Sequence, residues 1–198
     1  MWNLCGAVAG ALLLTGVTPS AEAAAAAMAG FAGLESRCRP IGDRHGRTYV
    51  DDALASNPFA TVASIDTFAG RELTVIVGGA DRGVDPAELV EALATRRPMP
   101  SVVVLPPDPD RLVALLVDAG MRVGRGGDSG DGEATGDGGG SVQAATDLAG
   151  AVAMAAEVTP EGGVVLFSPG APTPEGGGGY RERSRQFAEA AGLALPGS

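Results

Sequence analysis

The chain has 198 residues, a formal net charge of −10 and a hydrophobic content of 45%. This length suffices for one well-buried domain with or without an appendage, and the acidity argues against nucleic acid or an anionic membrane as a partner. All 14 basic residues are arginines. The single histidine argues against a His-rich metal site or a Ser-His-Asp triad, and the two cysteines have no metal-ligand spacing.

The N-terminal segment is apolar and rich in alanine. Its pattern predicts helices at 3–16 and 19–31, the second with Thr18 as N-cap and Pro19 in the first turn. A secretory signal peptide is the alternative for this segment, but no Lys or Arg precedes the apolar run. The run is also too short and too interrupted by glycine to span a bilayer.

Beyond residue 36, short apolar runs alternate with helical periodicities. Strand patterns lie at 37–41, 47–50, 73–77, 102–105 and 164–167, and helix patterns lie at 57–70, 86–97, 109–119, 146–158 and 180–191. The first two strands flank a turn at 43–46 and predict a hairpin, with His45 exposed in the turn. The later alternation predicts an α/β fold with a doubly wound, mostly parallel sheet.

Two kinds of loop interrupt this alternation. The Gly/Asp/Ser-rich tract at 124–140 has no periodicity and is predicted to be a disordered insertion. In doubly wound sheets, ligands bind at the carboxyl ends of the strands, which places the candidate site at loops 51–57, 78–85 and 168–179. By its residues alone, the segment 78–83 fits either an anion-binding loop or a plain tight turn, and it matches a dinucleotide fingerprint only weakly.

Several motifs in collinear order resemble the Mur ligase family, in particular its glutamate-adding, MurD-type members. The segments LESR (34–37) and YVDDALASNP (49–58) resemble the family's "LPHR … NDSKATNP". The segment VIVGGADRGVD (75–85) resembles "GGxDKGxD", and LFSP (166–169) followed by 180–187 resembles "LLSPA … (F/Y)xxRGxxF". The opening NLCGA (3–7) resembles the end of "HNxxNxxAA", so the resemblance covers almost the whole chain.

The resemblance implies a cytoplasmic bacterial ligase that uses ATP and Mg²⁺ to add glutamate to UDP-N-acetylmuramoyl-L-alanine, a step of peptidoglycan precursor synthesis. It implies a Rossmann-like C-terminal domain at 36–198, preceded at 1–35 by the helical tail of a truncated central domain. By position in the motifs, the nucleotide would face Arg37, Asp52 and Asn57, and glutamate would be bound by Ser56, Arg82, Thr173 and Tyr180.

The departures from the family's motifs limit this prediction. The lysine of "DSKAT" is Leu54 here, and the lysine of "DKG" is Arg82. Because the chain has no lysine, it contains no Walker A loop. The ligands of Mg²⁺ are therefore expected in the missing central domain or in a separate central-domain chain.

The sequence leaves open both the stereochemistry of the glutamate and the activity of the chain by itself. The alternative function is a non-catalytic domain that binds glutamate, a nucleotide or a partner protein. Folylpolyglutamate synthetases share the domain architecture and are the nearest other amide ligases, but the segment DDALASNP (51–58) favours the Mur ligases.

Overall fold

The computed structural model describes residues 2–29, 33–124 and 140–195. It divides into two compact units, Met1–Leu34 and Glu35–Ser198. The first unit contains the helices α1 (Trp2–Thr15) and α2 (Ala21–Ala29). Across the described ranges, no helix has the length and apolarity needed to cross a membrane.

The predicted start of the second helix was wrong. The helix begins at Ala21, and Ser20 rather than Thr18 occupies the cap, because the Ser20 hydroxyl accepts a hydrogen bond from the Ala23 N–H (3.1 Å). Serine at this position satisfies an N–H group that has no partner within the helix. Pro19 consequently lies before the helix and not inside its first turn.

The second unit is built on one mostly parallel sheet. The described part of the chain contributes seven strands: β1 (Arg39–Arg44), β2 (Arg47–Asp51), β3 (Leu73–Val77), β4 (Ser101–Val104), β5 (Arg122–Val123), β6 (Ser141–Ala144) and β7 (Val164–Phe167). Their spatial order is β1-β2-β7-β3-β4-β6-β5. Only β1 is antiparallel to its neighbour, so the predicted α/β class is confirmed.

Helices cover both faces of this sheet. They are α3 (Pro58–Asp66), α4 (Ala87–Thr95), α5 (Pro109–Asp118), α6 (Leu148–Val158) and α7 (Gly179–Ala190). Alternate strand residues enter two separate cores, since successive side chains of a strand point to opposite faces. In β3, Val75 and Val77 pack in the core of α3, α4 and α5, whereas Ile76 packs in the core of α6 and α7.

The N-terminal hairpin formed as predicted, with shifted ends. The turn residues His45 and Gly46 have φ values of 50° and 71°. These left-handed conformations match the right-handed twist of the flanking strands. His45 is exposed, as predicted.

The boundaries of helices α3 to α7 differ from the predictions by up to four residues. Asp147, not Thr146, caps α6, since its carboxylate accepts from the Gly150 N–H (2.7 Å). Helix α3 ends at Asp66, and turns continue the chain to residue 70. Phe59 shares the helical spacing of the apolar residues of α3, but it is 62% exposed.

The strands β5 and β6 were not predicted, because they are short and flank the glycine-rich tract. The two end residues of that tract hydrogen-bond the strands beside them. The Gly124 N–H donates to the Val142 carbonyl (2.9 Å), and the Gly140 carbonyl accepts from the Arg122 N–H (3.2 Å). The predicted disorder at 124–140 is therefore wrong at these two ends. The remainder of the tract, 125–139, lies outside the described residues.

Candidate functional site

The carboxyl ends of β2, β7 and β3 bring the three candidate loops together. These strands are neighbours and run parallel, so the loops that follow them leave the same edge of the sheet. Backbone bonds join the loops directly. Gly170 N–H donates to the Ala55 carbonyl (2.9 Å), and Gly78 N–H donates to the Pro169 carbonyl (2.7 Å).

The two glycines after β3 are required by this close approach. Gly78 has a φ of +116°, and a Cβ on Gly79 would lie 2.5 Å from the Pro172 carbonyl oxygen. The N–H of Ala80 already donates to that oxygen (2.9 Å). Because the N–H groups of Gly78 and Ala80 bond the neighbouring loop, the geometry favours the tight-turn interpretation of 78–83 over the anion-binding one.

Asp52 is the centre of a buried polar cluster at the end of β2. Its side chain is 3% exposed. One carboxylate oxygen accepts the hydroxyls of Ser64 (2.7 Å) and Ser168 (2.6 Å), and the other accepts the Cys38 N–H (2.9 Å). The cluster thus joins β2, α3, the loop after β7 and the segment before β1.

The adjacent Asp51 is also buried, at 2% exposure. Its carboxylate accepts from the Ala53 N–H (3.0 Å), and the hydroxyls of Ser36 and Ser184 bond one another beside it (2.6 Å). Burial raises the pKa of both Asp51 and Asp52, and hydrogen bonds to the carboxylates oppose this rise.

The residues predicted to face the nucleotide lie close in the chain but differ in exposure. Arg37 is exposed, and its charge contributes to lowering the pKa of Asp52 against the larger effect of burial. Asn57 caps α3, since its side-chain oxygen accepts from the Ala60 N–H (3.0 Å). The predicted helix start at 57–58 is confirmed, whereas nucleotide contacts by Arg37, Asp52 and Asn57 stay predictions.

ATP and Mg²⁺ fit only part of this site. Of the three residues predicted to face the nucleotide, Arg37 carries an exposed positive charge suited to a phosphate, whereas the Asp52 carboxylate and the Asn57 amide already bond protein groups. The printed sequence has no lysine to assist it. The described residues therefore do not complete a phosphate site, and no chemical step is assigned to ATP within this chain.

Two of the four residues predicted to bind glutamate line clefts, and each lines a different one. The loop cleft lies between 78–86 and 169–172, and its polar lining includes Arg82, Arg111, Asp81 and Asp108. The helix cleft lies between 173–178 and the start of α7, and its lining includes Thr173, Glu182, Arg183 and Gln186. Leu105 borders both clefts.

The structure thus places Arg82 in the loop cleft and Thr173 in the helix cleft. Ser56 is exposed in the loop after β2. Tyr180 is half-buried against the core of α6 and α7, with the Arg181 guanidinium 5.7 Å from its ring centroid. Glutamate contacts by these four residues stay predictions.

Two arginines of the clefts were not assigned from the sequence. Arg111 forms an ion pair with Asp81 across the loop cleft, and both side chains are about half exposed. Arg183 is buried and donates to the Gly78 carbonyl (3.1 Å), which ties α7 to the loop that carries Arg82. The motif "(F/Y)xxRGxxF" marked Arg183 without indicating a role, and Arg111 had no signal of its own.

Comparison with curated proteins connects this geometry to a family. The chain is 43% identical over 189 residues to a UDP-N-acetylmuramoyl-L-alanine--L-glutamate ligase of a Micromonospora species, and 41% identical over 190 residues to the protein of that name from Salinispora tropica. Each match covers 95% of the chain. The chain belongs to the Mur ligase family. It spans 37% and 38% of the length of these two relatives.

Solved structures agree with this assignment at the level of the fold. A murein peptide ligase from Psychrobacter arcticus matches 94% of the chain with a TM-score of 0.51 at 18% identity, over 35% of its own length. An ADP complex of folylpolyglutamate synthase from Mycobacterium tuberculosis matches 81% of the chain with a TM-score of 0.53 at 17% identity, again over 35% of its length. No protein-family model matches the chain. The sequence identities of 43% and 41% to the two curated Mur ligases exceed the 17% identity to the folylpolyglutamate synthase, which favours the Mur ligases.

Proposed function

We propose that the chain serves as the C-terminal, amino-acid-binding part of an ATP- and Mg²⁺-dependent ligase that joins L-glutamate to UDP-N-acetylmuramoyl-L-alanine in the bacterial cytoplasm. The observation that carries the proposal is the identity of 41% and 43% to relatives named for that reaction, over 95% of the chain. The L configuration follows the names of these relatives. The remainder of the catalytic apparatus is proposed to lie in further sequence or in a separate central-domain chain.

The chain's own contribution is proposed to be the orientation of the incoming amino acid. A glutamate that reacts through its amine needs its carboxylates held away from that amine, and fixed geometry of this kind lowers the barrier of a two-substrate reaction. Arg82 is exposed in the loop cleft, where its planar guanidinium suits a bidentate bond to a carboxylate. ATP, when bound, supplies activation of the acid that the amine attacks.

A binding domain without catalytic activity is the second candidate. The absence of lysine and the engagement of Asp52 and Asn57 within the fold favour it for this chain in isolation. In that case the two clefts still bind glutamate, but no ligation accompanies binding.

Calorimetric titration of the purified chain tests the proposal. We expect saturable binding of L-glutamate in preference to D-glutamate, and a loss of at least tenfold in affinity for Arg82→Ala. The control is Arg39→Ala, which removes an arginine of the N-terminal hairpin that lines neither cleft. Equal, weak binding of both enantiomers would contradict the glutamate assignment.

An activity assay then separates the two candidates. The chain is incubated with ATP, Mg²⁺, UDP-N-acetylmuramoyl-L-alanine and L-glutamate, with and without a central-domain protein from a full-length relative. ADP release that requires all components supports the ligase. Glutamate binding without ADP release under both conditions supports the binding domain.

A further inference from the structure

Arg183 is a buried guanidinium that lacks an acidic partner within the described ranges. Its side chain is 7% exposed, at the start of the second turn of α7, and it lines the helix cleft. One terminal nitrogen, Nη2, donates to the Gly78 carbonyl (3.1 Å). The other, Nη1, is buried and has no hydrogen-bond partner among the described residues.

The surroundings hold this guanidinium in place without neutralising it. Its Cζ lies 5.1 Å from the centroid of the Phe167 ring, which contributes a cation–π contact. Burial lowers the pKa of Arg183 to about 10, so the group stays charged at neutral pH. A buried charge without a partner is costly, and neither the ring contact nor the single hydrogen bond to Gly78 neutralises this one. The stability of the fold therefore does not account for an arginine at this position.

The helix cleft offers an anion further hydrogen-bond donors beside this charge. Helix α7 starts after Gly178, and no side chain caps its first N–H groups. The positive end of this 12-residue helix thus borders the same cleft as the guanidinium. Thr173 adds a hydroxyl to the same lining.

One acidic group lines the same cleft, and it is already engaged. The Glu182 carboxylate accepts from Arg185 (2.6 Å) and from the side chain of Gln186 (2.9 Å). These bonds lower the pKa of Glu182 and compensate its negative charge. Glu182 therefore does not act as the partner of Arg183.

We propose that Arg183 is a carboxylate-binding residue of the helix cleft. The inference rests on the proposed function in one respect: the carboxylate is assigned to the acidic amino-acid substrate. Arg82 and Arg183 then stand in two neighbouring clefts linked through the Gly78 loop, an arrangement suited to a ligand with two carboxylates. Specificity for a dicarboxylic amino acid follows from these two separate charges.

The test uses the full chain, with L-glutamate and glutarate as probes in calorimetric titrations. Glutarate has both carboxylates but no amine and no chirality, so it reports on the anion contacts alone. We expect Arg183→Met to weaken both probes at least tenfold, with a melting temperature equal to or above that of the wild type. The matched control is Arg71→Met, an exposed arginine that also donates to one backbone carbonyl, of Gly162 (2.9 Å). Its affinities should equal those of the wild type.

The outcomes separate this inference from the proposed function. If Arg183→Met binds glutarate and L-glutamate as tightly as the wild type, or if the wild type binds neither probe, the inference is overturned. A lower melting temperature in Arg183→Met together with lost binding also overturns it, because the guanidinium then serves the fold. If glutarate binding depends on Arg183 but L-glutamate binds no better than D-glutamate, the inference stands and the proposed substrate fails.

Discussion

Asp52 provides the most direct test of how the candidate site is held together. Its carboxylate accepts three hydrogen bonds from segments that are distant in sequence, Cys38, Ser64 and Ser168. Asp52→Ala removes both acceptor oxygens and leaves the three donors without this partner in a site where Asp52 is only 3% exposed. We expect the chain to fold with markedly lower stability.

The magnitude follows from two opposing effects. A hydrogen bond to a charged group contributes about 1.5–3 kcal/mol, and an unsatisfied buried donor costs about 1–3 kcal/mol. The burial that raises the pKa of Asp52 opposes these gains, because the variant no longer has to desolvate a carboxylate. The net loss for Asp52→Ala is expected to be about 2–4 kcal/mol at neutral pH. Asp52→Asn keeps one acceptor oxygen and should lose about half as much.

Urea unfolding followed by circular dichroism measures this difference in unfolding free energy. An unchanged slope of that free energy against urea concentration indicates that the folded and unfolded states of the variant and the wild type are comparable. Asp66→Ala is the control, since that carboxylate is exposed at the end of α3 and should cost less than about 0.5 kcal/mol. A loss below about 1 kcal/mol for Asp52→Ala would refute the view that this cluster joins the loops.

Gly79→Ala should destabilise the chain by about 1–3 kcal/mol in urea unfolding, because the added Cβ meets the Pro172 carbonyl at 2.5 Å. Gly150→Ala is the matched control and should be neutral or stabilising, since its Cβ meets no atom closer than 3.4 Å. If Asn57 acts as the cap of α3, Asn57→Ala should lower the unfolding free energy by about 1 kcal/mol and Asn57→Ser by much less. Both variants should then bind glutamate with the affinity of the wild type in calorimetry. Burial raises the pKa of Asp52 above its ordinary value, so its ionisation weakens the fold as the pH rises from the usual aspartate pKa toward this raised pKa. The unfolding free energy of the wild type relative to Asp52→Asn should therefore fall over that range, and a rise would contradict the direction of the shift.

Most of the sheet could be predicted from the sequence because its central strands are buried on both faces. The strand at Val164–Phe167 was placed at both ends correctly, since it is a continuous apolar run between turn residues. The edge strand β5 has only two residues, both exposed, and carries no hydrophobic signal. Helix starts were harder, because Ser20 and Asp147 compete with neighbouring residues that also suit an N-cap.

The candidate site was predictable in position but less so in the roles of its residues. The order of strands brings loops 51–57, 78–85 and 168–179 to one edge, which the rule for parallel sheets predicts. Sequence does not show whether a polar side chain turns inward. Asp52 and Asn57 bond protein groups, whereas Arg82 remains exposed. Arg183 was missed as a binding candidate because its isolation from acids is a property of three-dimensional packing.

These positions suggest a division of labour within the motifs that relate the chain to the Mur ligases. The loops are fixed by the polar groups of Asp52 and Asn57 and by the absence of a side chain at Gly79. Replacement of these residues should therefore act first on stability. Arg82 makes no comparable contribution to the core, and Arg183 carries an uncompensated charge in a buried position. Their replacement should therefore act on ligand binding with little loss of stability. If the two groups of variants instead lose stability and binding in parallel, the loops and the clefts form one cooperative unit and the motifs cannot be divided in this way.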